Sequence, residues 1–447
     1  MADNLTIFGT TYNNVTGIKA TDTNGVVQTF TKGGGGGGGV EEKDVNFIDY
    51  DGTIVASYTA ADFANLSALP ANPSHTGLTA QGWNWSLSNA KAYVASYGKL
   101  WIGQMYTTDD GKTRIYIHIP DGASSDHRKI YVRFTQTKAN GVTVDWGDGT
   151  STETYTTTSA TNYEHIYANT GDYVITLNVT SGSMSLVGSS SYGIFGINTR
   201  YFNRSRVYKI EIGNNVTELG NYIFRYCYAL ESVTIPSTVT SMGTHVFNSC
   251  YLLKSVTVPH EITTIDANVF QNSYGIETVA MPSTLTSIGA NAFQYCEDIK
   301  TVTIPSNVTS IGNNAFEYCY KLKYITIPHE LTSIAQSMLD ACYSLKTLLL
   351  PTTLTNIGAS AMLNCQTLPS VTVPASVTNI GSSAFSTMYG LNEIHFLSET
   401  PPTLGTTAFS NISTGTVIYV PVGKLTEYQT ASNWSTYADY MQEEPQS

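Results

Sequence analysis

Between residues 207 and 397 the chain repeats itself every 23 residues, and this period restricts its fold more than any other property. In the unit that begins Val233-Thr234-Ile235-Pro236, the proline returns as Pro259, Pro282, Pro305, Pro328, Pro351 and Pro374, with Gly213 one unit earlier. A second column runs Phe224, Phe247, Phe270, Phe293 and Phe316, then Leu339, Met362 and Phe385. Further apolar columns pass through Leu230, Val233, Ile235, Val239 and Met242. Each unit therefore offers a short strand, a bend at proline and a turn-rich return. One unit cannot bury these side chains alone, whereas eight stacked units share a continuous core, so the period predicts a solenoid.

The six cysteines occupy one column of this register: Cys227, Cys250, Cys296, Cys319, Cys342 and Cys365, with Ser273 and Met388 in the two remaining places. Stacked strands lie ~4.8 Å apart with parallel Cβ vectors, wider than the ~3.8 Å between Cβ atoms of a usual disulfide. The expectation is a structural ladder of free, buried thiols acting as small apolar core residues.

The unit resembles the BspA-type leucine-rich repeats of bacterial surface proteins, which share the pattern Val-Thr-Ile-Pro, Val-Thr-x-Ile-Gly, Ala-Phe and Cys-x-x-Leu. The resemblance covers residues 207–397. The tail from Val417-Ile418-Tyr419-Val420-Pro421 to Tyr437-Ala438-Asp439-Tyr440 is similar to that family's C-terminal cap, which implies a cap over residues 398–447. An open end of the stack would leave apolar side chains in water, so a cap is also physically required.

Ahead of the repeats the chain is segmented. Residues 1–32 read as two short strands around Leu5-Thr6-Ile7-Phe8 and Val26-Val27-Gln28-Thr29-Phe30, an N-terminal attachment segment. Gly33 to Gly39 form an unbroken polyglycine linker, with no side chain to bury and much entropy to lose on ordering. In residues 40–104, Val45 to Val55 reads as strand, Asp51-Gly52 turn and strand, and Ser88 to Tyr97 as a short helix. With Pro70, Pro73 and Gly82-Trp83 this segment resembles the β-grasp repeats of internalins, except that Gln81 stands where that family carries an aromatic. In residues 105–182, Trp146-Gly147-Asp148-Gly149 and Tyr173-Val174-Ile175-Thr176-Leu177-Asn178-Val179 resemble the polycystic-kidney-disease (PKD) type of immunoglobulin-like β-sandwich. Residues 183–206 read as a Ser/Gly-rich connector. The fold class is thus mainly β and multidomain: a β-grasp-like module, a PKD/Ig-like β-sandwich and a C-terminal leucine-rich-repeat solenoid.

Charge and termini narrow the partners. Charged residues are only 13% and the net charge is −12, against a nucleic-acid backbone or an anionic membrane as partner. No apolar run of about 18 residues predicts membrane insertion, and Met1 to Phe8 lacks the charged start and apolar stretch of a secretory signal.

Motifs for chemistry are weak. No Gly-x-Ser-x-Gly elbow occurs, and Gly111-Lys112-Thr113 lacks the earlier glycine and the following helix of a phosphate loop. Asp145 and Asp148 read as turn residues rather than a cation site. His260-Glu261 and His329-Glu330 share columns but lie three repeats apart, ~14 Å by the stacking distance, so they cannot share one zinc ion. No cofactor, metal or catalytic residue is expected.

What remains is surface. The outward strand positions include Thr234, Thr257, Thr303, Tyr324, Thr326, Leu349 and Thr372, a Thr-rich candidate binding face. A second column carries Tyr228, Tyr251, Tyr274, Tyr320, Tyr343 and Tyr389, and tyrosine combines a large amphipathic face with low entropy cost. Three surface-type modules without an export signal lead to the expectation of a non-enzymatic bacteriophage structural protein, a tail or head fibre. The strand-plus-polyglycine start is similar to the attachment foot of such fibres. Residues 1–32 would dock on other virion proteins, the β domains would act as spacers, and the solenoid would bind a host protein or glycan. The alternative is a bacterial cell-surface adhesin of the BspA type, and a third reading is a glycan depolymerase. Homo-oligomerisation is left open, since no coiled-coil heptad is present.

Overall fold

In a computed structural model of the protein, residues 41–121, 128–188 and 206–445 are described, together with the backbone of four strands nearer the N-terminus. Those four are β1 (Leu5–Ile7), β2 (Thr10–Tyr12), β3 (Gly17–Thr21) and β4 (Val27–Thr31), where the sequence suggested two. They form two antiparallel hairpins, β1 with β2 and β3 with β4, within a unit of their own, residues 1–39. The polyglycine segment lies outside the described residues.

The second unit, residues 40–447, begins with a small α/β module. Its elements are β5 (Val45–Ile48), β6 (Ile54–Tyr58), α1 (Ala60–Ala64), β7 (Leu78–Trp83), α2 (Leu87–Tyr97) and β8 (Leu100–Thr108). The Asp-Gly turn between β5 and β6 uses Gly52 at φ +88°, a left-handed backbone that glycine adopts without a Cβ penalty. The Ser86 hydroxyl accepts from Asn89 N–H at 3.3 Å to start α2, and Gly98 at φ +79° ends it. The sheet order is β6-β5-β8-β7, with only β5 and β8 parallel. Phe47, Phe63, Trp83, Tyr93 and Ile102 fill the module's core.

Next come β9 (Thr113–Ile119), β10 (Lys129–Gln136), β11 (Val142–Asp145), β12 (Glu153–Thr154), β13 (Thr161–Ile166), β14 (Gly171–Val179) and β15 (Met184–Leu186). Their strict alternation, as in Ile115, Ile117 and Ile119, gives two sheets that each bury one face. These sheets do not close. The first runs on through β16 (Val207–Glu211), which pairs with β9, into β18 (Ser232–Thr234). The second runs through β17 (Val216–Leu219), which pairs with β15, into β19 (Ser241–Met242). One hydrophobic core therefore extends from Ile115 to Met441. The sandwich is the N-terminal cap of the solenoid rather than a spacer, because a stack of strands needs its first edge paired. The expected connector starts with β15, and its residues 189–205 lie outside the described residues.

The solenoid coils as the period requires, with the Phe column stacked at ring-centroid distances of 5.1–5.7 Å from Phe224 to Phe316. Two residues per turn take left-handed backbone, for instance Asn291 (φ 55°) and Tyr295 (φ 61°). That conformation is uncommon outside glycine and suits asparagine best, which explains Asn268, Asn291 and Asn314 in one column. Thr407 and Asn411 repeat it, and Phe409 stacks on Phe385 at 5.3 Å, so the stack runs one turn beyond the 23-residue register. Strand Glu393–Phe396 pairs with Val417–Val420, and this in turn with Met441–Glu443. Helix α3 (Leu425–Thr430) and the fully buried Trp434, packed edge-on against Phe396, close the end.

Candidate functional site

The strand face expected to bind a partner is half covered. The module lies across it, with β8 over the strands of the turns that carry Thr234, Thr257 and Ala280. Asn84 donates its side-chain amide to Ala280 O at 3.0 Å, and Trp85 donates its indole N–H to Met281 O at 2.7 Å. Gly103 comes so close to Thr257 that a Cβ there would sit 2.2 Å from the threonine hydroxyl. Gln81 accepts from Ser237 N–H at 2.8 Å, a further bond from the module to the solenoid. Thr234, Thr257 and Thr303 are consequently buried, and the expectation of an open threonine surface is corrected there. The sequence carried a signal of this contact: Ala280 interrupts the Thr column where Ile48 and Trp101 pack.

Further along, the face emerges. Tyr93 of α2 reaches Ile304 O at 2.8 Å and Thr326 Oγ1 at 2.9 Å, and Tyr97 stacks on His329 at 4.8 Å while accepting from its backbone N–H. Beyond this last contact a cleft of about 260 Å³ opens between the end of α2 and the turns from Thr301 to Pro351. Tyr97, Lys99, Tyr324, Thr347 and Leu349 line it. The Lys99 ammonium sits 4.4 Å above the Tyr324 ring. Leu349 is 84% exposed, whereas Ala280, the other apolar residue of this Thr-rich column, is buried under the module. The strand ladder also breaks here: Thr347 makes only an isolated bridge to Tyr324, and regular pairing resumes at Ser370–Val373. Of the expected face, the cleft gathers Tyr324, Thr326 and Leu349, and Thr372 lies exposed on the next turn. Tyr97 and Lys99 are not site candidates in the sequence, since only the docking of α2 brings them here, and His329 enters there only as half of a His-Glu pair weighed for zinc.

In the tyrosine column Tyr251 stacks on Tyr274 at 4.9 Å and Tyr320 on Tyr343 at 5.1 Å, while Tyr228 meets Tyr251 at a tilt of 35°. Tyr251, Tyr274 and Tyr320 are half-buried, whereas Tyr343 and Tyr389 are exposed. Glu297 stands in the gap between Tyr274 and Tyr320. Burial there, with Asp298 alongside and against the pull of Lys321, raises its carboxyl to about 7.

The other chemistry-bearing residues sit in structural roles. Cys227, Cys250, Cys296, Cys319, Cys342 and Cys365 are buried and form no disulfide. The Cys296 thiol points at Phe270 O at 3.3 Å, as the Ser273 hydroxyl does at Phe247 O, and burial raises the Cys296 thiol well above its ordinary range. Asp145 accepts from Gly147 N–H, and Asp148 from Thr150 and His165, so both carboxylates complete turns. His260 pairs with its neighbour Glu261 at 2.9 Å. Among the described residues no group of three His, Cys, Asp or Glu could hold a metal ion, and no helix is long and apolar enough to cross a membrane.

A sequence model of the BspA type leucine-rich repeat region matches six copies over residues 191–300 and 286–416. No curated protein matches the chain. Among solved structures, a leucine-rich repeat protein from Bacteroides ovatus is 24% identical over 48% of this chain and 66% of its own, with a TM-score of 0.39. The leucine-rich repeat protein of T. pallidum is 23% identical over 42% of this chain and 83% of its own, with a TM-score of 0.36. The pneumococcal vaccine antigen PcpA is 16% identical over 53% and 65%, with a TM-score of 0.37. With its repeats matched over just more than half of its length, this chain belongs to the BspA type leucine-rich repeat family.

Proposed function

We propose that the protein is a non-enzymatic surface recognition protein, an adhesin that binds its partner through the uncovered part of the strand face. The observation that carries this is the change along that face. The module covers the strands that carry Thr234, Thr257 and Ala280, and the face then opens from Thr301 onward at a cleft with a largely exposed leucine. Exposed apolar groups beside aromatic rings in a concave site are the usual anchor points of protein recognition. Membership of the repeat family favours display on a bacterial surface over display on a virion. In this reading residues 1–39 tether the chain, and the internalin-like and PKD-like modules shape the solenoid's face and end.

Two measurements test it. Beads coated with the full chain should adhere to cultured epithelial cells, and Leu349→Ser should lower adherence; adherence no higher than that of uncoated beads, or release of reducing ends from cell glycans, overturns the reading. Antibody against residues 207–445 should label intact bacteria that express the protein, and label confined to phage particles would replace the bacterial surface with the virion.

A further inference from the structure

Building on that proposed reading, we infer that the cleft takes an extended peptide segment of a partner protein in which apolar and acidic residues alternate.

The charge around the cleft is opposite to that of the whole chain. The protein carries a net charge of −12, yet Lys99 lines the cleft, and Lys323 and Lys346 stand exposed directly before its lining residues Tyr324 and Thr347, against one carboxylate, Glu330, directly after the lining residue His329. Lys346 N–H bonds to Lys323 O, so the two lysines occupy adjacent turns. On the preceding turns the corresponding charges are neutralised, as where Lys300 pairs with Glu277 at 2.9 Å. Among the described residues no carboxylate pairs with Lys99, Lys323 or Lys346. Three cations left without counter-charges on an acidic protein form a local field that selects and steers an anionic ligand.

The remaining walls specify what else the ligand carries. Leu349, exposed over 84% of its surface, and the ring of Tyr97 present apolar area. Burial of that area rewards an apolar side chain by about 25 cal/mol per Å² and gives nothing to the hydroxyls of a sugar. At about 260 Å³ the cleft is smaller than the pockets that enclose a drug-sized molecule, which begin near ~300 Å³, and it suits one or two side chains. An apolar side chain against Leu349, flanked by carboxylates that reach Lys99 and Lys323, satisfies each feature, whereas an acidic glycan leaves Leu349 unused.

The test uses the full chain and fluorescent nonapeptides in which two leucines are set among aspartates and glutamates. Their asparagine/glutamine counterparts and hexuronic-acid tetrasaccharides serve as controls, with binding read by fluorescence anisotropy. The acidic peptides should bind at least ~10-fold more tightly than the amide versions, and raised salt should weaken them. Leu349→Ser and the double variant Lys99→Ala/Lys323→Ala should each cost ~5- to 10-fold in Kd, with circular dichroism unchanged. Equal binding of acidic and amide peptides, binding of the tetrasaccharide alone, or an unaffected Leu349→Ser variant each overturn the inference. If the coated beads still adhere to cells while the peptides do not bind, the peptide class is wrong and the surface-recognition role stands. If neither occurs, both fall.

Discussion

The hydroxyl of Tyr93 lies 2.8 Å from the carbonyl oxygen of Ile304, and this contact closes a ring of three hydrogen bonds, two of which join module and solenoid. Tyr93 has a single proton and gives it to Ile304 O. Thr326 must then donate to the Tyr93 oxygen, at 2.9 Å, while accepting from Ile304 N–H, also at 2.9 Å. Tyr93→Phe should therefore leave the Thr326 hydroxyl and the Ile304 carbonyl short of a partner and lower unfolding free energy by about 1–3 kcal/mol. Urea titration measures this, and an unchanged midpoint would show that the ring contributes nothing.

Close approach at Gly103 makes a second prediction. A valine there has no room against Thr257 Oγ1 at 2.2 Å or Ala280 Cβ at 2.8 Å, so Gly103→Val should lift the module off the strand face. Amide exchange should rise at Ser255–Thr257 and Thr278–Ala280 while the Phe column stays protected. Thr257→Val should do the opposite. Its buried hydroxyl has no hydrogen-bond partner, so replacing it with an isosteric methyl should be neutral or stabilising by up to about 1 kcal/mol. Loss of module docking in Thr257→Val would contradict this.

The thiol column should be chemically silent. All six cysteines are buried and none forms a disulfide, and burial keeps the Cys250 and Cys342 thiols well above their ordinary range. A thiol-specific reagent should label none in the native protein and all six in denaturant. Because Ser273 already makes the equivalent bond at 2.6 Å, Cys319→Ser should cost no more than about 1 kcal/mol. Rapid native labelling would mean that the stack opens.

Glu297 sets a pH dependence. Its carboxyl moves from an ordinary 4.5 to about 7 on folding, so between those values the folded state holds the proton more tightly than the unfolded one. Stability from this group is full below pH ~4.5 and falls as pH rises through about 7. Asp340, raised to about 6 by burial first and by Glu317 nearby, acts in the same sense. Melting temperature should drop between pH 5 and 8, and Glu297→Gln should flatten that drop. An identical slope in the variant would remove Glu297 as the cause.

Much of this is legible in the amino-acid sequence. A 23-residue period places Phe247 over Phe224 and Cys319 over Cys296, because side chains one repeat apart must stack when each coil adds one strand. Thr407 and Phe409 were harder to see, since one extra residue near Pro401-Pro402 shifts the last turn to a 24-residue step. The hairpin through Asp51-Gly52 and the helix ending at Tyr97 were also readable, because turn and cap preferences act locally.

The sequence by itself thus determined the coil, its core columns and the outward direction of Thr234, Thr257 and Leu349, all set by contacts between residues one repeat apart. Only the tertiary structure decided which of these outward residues meet solvent. That depends on Asn84, Trp85, Tyr93 and Gly103, which lie more than a hundred residues from the strands they cover and share no period with them. Thr257 and Leu349 look equally outward in the repeat, yet one is sealed beneath Gly103 and the other forms the lip of the cleft. The physical reason is that a repeat records the forces along the stack, whereas the docking of a module across it is a shape fit between surfaces that no single repeat encodes.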